Sequence, residues 1–152
     1  MNNDTLREHL IAQSQGQTTF NSPDALTGAF DAESAGQRFD GHPHTAWELV
    51  WHLELAGRDI YEFVTSADYQ ELDWPGDYWP AEPAPPTPAA WEAKLHDFRA
   101  VRQRFIDLAR ENDLAGVAPT GESQTVLRGI LMVIEHDAYH LGQLGALRFA
   151  LK

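Results

Sequence analysis

Six of the chain's nine prolines fall between residues 75 and 88, inside the stretch WPGDYWPAEPAPPTP. Each proline lacks a backbone donor and fixes φ, so this segment can be neither a helix interior nor a central strand. It divides the 152 residues into two blocks, and both blocks read as helical. Trp74, Tyr78 and Trp79 give the divider an apolar weight that a free linker lacks, which predicts an ordered crossover. From Thr65 to Thr87 it is long enough to return along a helix of roughly 30 Å, as consecutive parallel helices require.

The helical reading rests on caps and spacing. Thr5 and Glu8 have the spacing of a capping box ahead of Leu6, Leu10 and Ile11, and Gln13 to Thr19 weakens that helix. Ser22-Pro23 is a cap followed by proline at the first helical position. Residues 30–43, with Gly36 and Gly41, read as a connector holding about one helical turn. Thr45 and Glu48 form a second box before Leu49, Leu53, Ala56, Ile60 and Phe63, a helix predicted to end near Thr65. Thr87 caps Pro88 ahead of a stripe of Trp91, Leu95, Phe98, Phe105 and Leu108, with Glu92, Arg99 and Gln103 facing out. Gly116 and Pro119 punctuate the next loop. Ser123 is expected to open a last helix carrying Val126, Leu127, Ile130, Leu131, Ile134, Leu141 and Leu144. No alternating pattern competes, so the expected class is all-α: residues 1–152 form a single domain, a four-helix bundle.

Composition narrows the function. Eleven Lys and Arg against 23 Asp and Glu give a net charge of −12, which repels phosphate backbones and anionic lipid heads. Nucleic-acid and membrane partners are therefore not expected. The longest aliphatic or Met run, Ile130 to Ile134, is far too short for a span, and Met1 to Leu10 lacks the order of a signal peptide, so a cytoplasmic protein is expected. Cysteine is absent, which removes disulfides, thiolate ligands and any cysteine nucleophile.

Seven histidines remain as the chemistry-bearing residues. His136 and His140 are four apart on the most apolar helix and project about 6 Å apart along one face, a spacing that can bite one divalent ion. Alone, the pair also fits one core histidine and one at a helix edge. His52 shifts the balance, because it shares the face of Leu49 and Ala56. Three inward imidazoles from two helices would cap a metal and leave a position open. Gln143 and Glu48 are the candidates to support these rings, although Glu48 also belongs to the capping box. Asp59 and Tyr139 could reach a pocket, but surface and packing roles suit them better. Trp47 and Trp51 read as core or interface aromatics, and Gly142 and Gly145 as sites of close helix approach. His9 could look inward; His42 and His44 flank Pro43 as solvated or capping groups, and His96 lies on an outer face.

The second helix, HTAWELVWHLELAGRDIYEFV, the last, TVLRGILMVIEHDAYHLGQLGALR, and the WPGDYWP crossover together resemble the DinB/YfiT-like family of metalloenzymes. The likeness runs over nearly the whole chain. It implies an up-down-down-up four-helix bundle, commonly a homodimer, and a divalent metal held by three histidines matching His52, His136 and His140. Such a site could activate water toward an ester or amide, or bind a small-molecule thiol as thiolate for transfer to an electrophile. The resemblance favours thiol-dependent S-transfer or isomerisation, and without cysteine the nucleophile must come from outside. Histidine ligands suit Zn, Ni, Fe, Cu or Mn, which leaves the metal open. A metal-binding interaction or stress-response module without catalysis is the alternative of a different class. No general base stands out, and the catalytic residues are unknown.

Overall fold

The computed structural model describes residues 3–17, 20–120 and 124–151; among them there is no strand, only helices, turns and one isolated bridge between Val117 and Thr125. The helices are α1 (Asn3–Ser14), α2 (Pro23–Thr27), α3 (Ala32–Ala35), α4 (Ala46–Thr65), α5 (Pro88–Glu111) and α6 (Val126–Ala150), with a 3₁₀ turn at Gly76–Tyr78. α4 packs along both α5 and α6, while α1 lies on α5 and α6. The class is all-helical, as the caps and stripes predict.

Contacts fix the helix directions. Trp47 meets Trp91, Gly57 meets Val101 and Tyr61 meets Phe105, each pair 44 residues apart. A constant offset means that α4 and α5 run parallel. Val64 faces Gly129 while His52 faces His136, so α6 runs against α4. Arg7 bonds the Ala109 carbonyl and Arg102 the Ser14 carbonyl, so α1 runs against α5. These directions are compatible with an up-down-down-up order.

Parallel α4 and α5 need the crossover, and its fastenings show its path. The Tyr78 hydroxyl donates to Asp59 at 2.6 Å, and the Thr45 hydroxyl donates to the Pro83 carbonyl at 2.7 Å. Those two positions on α4 lie about 21 Å apart along the axis. The chain thus travels back along α4 before α5 begins. Thr87, Thr45 and Ser22 cap their helices as the sequence predicts, with both halves of the Thr45–Glu48 box formed.

The core joins Leu49, Val50 and Leu53 of α4 to Trp91, Phe98 and Phe105 of α5 and to Ile130 and Leu144 of α6. Burying each such side chain is worth about 1.5–3 kcal/mol. Several expectations need correction. α1 already contains Thr5, so Thr5 is not its cap. Ser123 lies outside the described residues, and the observed cap of α6 is Thr125, whose side chain accepts from the Arg128 N–H. Leu131 is exposed, because on the turn that carries it the buried face of α6 is taken by Ile130 and Val133. Gly142 and Gly145 do not mediate close helix approach: a Cβ at Gly142 would meet nothing within 4 Å, and one at Gly145 only Leu26 at 3.7 Å. Close approach occurs at Gly129 and Gly57, where a Cβ would lie 2.5 Å from Val64 and 3.2 Å from Val101.

Candidate metal centre

His52 lies seven residues after the cap of α4, on the face that α6 covers, and is only 2 % exposed. Across the helix interface, His136 Nε2 sits 3.0 Å from His52 Nε2. One turn further along α6, the His140 ring is 4.6 Å from both the His52 and the His136 ring, centroid to centroid. One ring nitrogen from each of the three histidines falls within 4.8 Å of the others. Among the described residues this is the group of His, Asp and Glu side chains that could hold a metal ion.

The outer nitrogens explain the orientation. His52 Nδ1 is 3.1 Å from the Tyr78 carbonyl, and His140 Nδ1 is 2.6 Å from Gln143 Oε1. Both partners are carbonyl oxygens that can only accept, so both Nδ1 atoms carry the proton and both Nε2 atoms are unprotonated, presenting lone pairs. Such partners are what histidine ligands use to fix tautomer and ring angle. Trp79 adds a wall. Its ring lies flat between His52 and His44, with centroids 4.1 Å away on each side. His44 is therefore a stacked ring beside the centre, not a solvated connector residue.

Burial keeps the three imidazoles neutral. Loss of hydration, helped by the neighbouring imidazoles, pushes His52 and His136 down to about 4, with the Tyr78 carbonyl bond opposing at His52. His140 is also lowered, mainly by burial, with the Gln143 bond opposing. Neutral nitrogen lone pairs at physiological pH are the form a metal needs.

Two nitrogens that each lie about 2.1 Å from one ion can be at most about 4.2 Å apart; the closest pair, at 3.0 Å, meets that bound, and the others, all within 4.8 Å, need close by no more than about 0.6 Å, a small side-chain adjustment. His136 Nδ1 is buried without a hydrogen-bond partner, an unsatisfied polar atom in the wall of this cluster. Three neutral nitrogens without sulfur suit a borderline divalent ion. The residues fit such an ion.

The remaining candidates go elsewhere. Glu48 does not support His52: its carboxylate accepts from the Thr45 N–H and from Arg38. Asp59 accepts from Tyr69 and Tyr78, which steadies the turn that presents the Tyr78 carbonyl to His52. Tyr139 is exposed and stands edge-on to His140, with centroids 4.9 Å apart. Trp47 is buried in the core, and Trp51 lies under the Lys94 ammonium. His9 and His96 are exposed and take no part. Reasoning from residue types missed Tyr78 and Trp79 as partners of His52. A backbone carbonyl leaves no residue-type signal, although the aromatics of the crossover hinted that it packs on something.

The sequence profile of the DinB superfamily matches residues 17–144. The chain belongs to the DinB superfamily. That span contains the crossover and all three histidines, and the superfamily is metal-associated. Comparison of this DinB-superfamily chain with curated proteins and with solved structures finds no match. Among the described residues, no helix is long and apolar enough to cross a membrane.

Proposed function

We propose that this DinB-superfamily protein is a divalent-metal enzyme in which His52, His136 and His140 hold the ion, and that it transfers a small-molecule thiol to an electrophile. The observation that carries this reading is the convergence of the three rings with two of their outer nitrogens already held by carbonyls. When bound, the ion supplies a positive charge that favours the thiolate form of a coordinated thiol and leaves room for an incoming ligand.

The choice of thiol over water rests on proton accounting. The two carboxylates of α4 that the sequence puts forward for the site are engaged: Glu48 with Thr45 and Arg38, Asp59 with two tyrosines. Neither is free to act as a general base. A thiol with a pKa near 8.5 needs a shift of only about 1–2 units to ionise at neutral pH, whereas water starts from about 15.7. A site poor in bases therefore suits the thiol. The chain has no cysteine, so the sulfur arrives with a small molecule. The proposed enzyme works in the cytoplasm as a homodimer.

The test is a titration of cobalt-loaded protein with low-molecular-weight thiols, followed by the sulfur-to-metal charge-transfer band, then turnover with small electrophiles. The reading expects the band to appear and to vanish in His140→Ala. A metal spectrum unchanged by any thiol, with hydrolysis of esters or amides instead, would replace it with a hydrolase. Loss of all turnover in metal-loaded protein would leave a binding module.

A further inference from the structure

A cavity of about 410 Å³ opens between α1, α2, α5 and α6, walled largely by apolar side chains that include Leu26, Phe105, Val133 and Leu141. None of the three histidines lines it. α6 turns His136 and His140 toward α4 and turns Val133, Asp137 and Leu141 toward this space. The volume is in the range of small-molecule sites.

Two features mark the cavity as more than a packing gap. The first is Gly142 and Gly145, both in its wall and both inside α6. Glycine weakens a helix interior, and here no neighbour occupies the space that a Cβ at Gly142 would take. The room they leave belongs to the cavity. The second is a loosened polar end. Arg102 Nε stands 3.8 Å from Asp137 Oδ2, beyond hydrogen-bonding reach, and the two side chains are 12 % and 14 % exposed. Asp137 Oδ1 and Ser14 Oγ are buried without hydrogen-bond partners. Buried polar groups are rarely left so.

We propose that this cavity binds a small uncharged amphiphile, an apolar body bearing one hydroxyl or amide, with its polar end between Arg102 and Asp137. A hydroxyl there accepts from the guanidinium and donates to the carboxylate, completing a pair that does not bond directly. Arg102 offers donors and Asp137 an acceptor, so one group that both accepts and donates matches the pair. An anionic end group would face Asp137, and a cationic one would face Arg102, in a wall with little water to screen either. This site is independent of the metal centre.

The experiment titrates the full chain with 1-octanol, octanoate and octylamine by calorimetry. Gly142→Leu and Ala138→Leu serve as blocking variants on the cavity wall, and light scattering is run in parallel. The proposal expects saturable 1-octanol binding at least tenfold tighter than that of either charged analogue, lost in whichever variant keeps native helical circular dichroism. Gly142→Leu should fold, since its side chain enters empty space. Absence of saturable 1-octanol binding would overturn the proposal, as would equal binding of a charged analogue or retention in a folded blocking variant. A native dimer that Gly142→Leu converts to monomer would overturn it too, because a second copy would then cover the cavity. Loss of 1-octanol binding in His140→Ala alone would assign the ligand to the metal centre instead.

Discussion

His52 on α4 and His136 on α6 face each other with their Nε2 atoms 3.0 Å apart, although 84 residues separate them in the chain. At that distance both nitrogens cannot carry protons: either one donates to the other, or two lone pairs face each other. With both rings about 4 in pKa, the contact stays neutral over the whole physiological range. A divalent ion is the partner that satisfies both lone pairs at once.

Acid should loosen the metal-free fold. His52 and His136 titrate at about 4 when folded and at their ordinary 6.5 when unfolded. Between those values the unfolded chain binds more protons, so stability is full above 6.5 and is lost as pH falls toward 4. Asp137, raised by burial from 3.8 to about 7, acts in the opposite sense but as one group against two. Urea midpoints of chelator-treated protein should fall from pH 7 to pH 4.5, and fall more steeply in Asp137→Asn. A flat profile would contradict the neutral buried cluster.

Gln143→Ala should weaken metal binding about 10–100-fold, because it removes the acceptor that holds His140 Nδ1. Folding should change little, since Gln143 is only part-buried. Competition with a chromophoric chelator measures the first quantity and thermal melting the second.

Thr45→Ala should cost about 0.5–2 kcal/mol for the lost α4 cap. The tie to Pro83 goes with it, so the crossover should exchange its amide protons faster from Tyr78 onward. Hydrogen exchange of the native and variant proteins checks this.

Much of this fold could be read from the sequence, because its signals are local. The Thr45–Glu48 box, the Thr87-Pro88 start and the stripe from Trp91 to Leu108 each depend on residues within one or two turns. The proline run likewise announced a crossover. Helix contact was harder to read. Glycines at 142 and 145 look identical in sequence to those at 57 and 129, yet only the latter are crowded by a neighbouring helix, while Gly145 has only ordinary contact with Leu26, and that depends on rotation about the helix axis. The histidine triplet was legible from i, i+4 spacing and an apolar face. The Tyr78 carbonyl and the Trp79 stack were not, since both depend on how the crossover folds back over α4.

Gly129→Ala should destabilise the protein by about 1–3 kcal/mol, the usual cost of overpacking, with up to ~1 kcal/mol recovered from helix propensity. The added Cβ would sit 2.5 Å from Val64 Cγ1. The double variant with Val64→Ala should be less destabilised than the two single costs added together, a coupling that a double-mutant cycle reads directly.

Metal stoichiometry tests the three-histidine site most directly. Protein purified without a metal-affinity tag is dialysed against one divalent ion at a time, then analysed for metal per chain alongside His52→Ala, His136→Ala and His140→Ala. The predicted result is one ion per native chain, with each substitution lowering occupancy sharply while helical circular dichroism is retained. Native protein that takes up no ion, or folded variants that hold as much metal as the native chain, would contradict a metal centre at these residues.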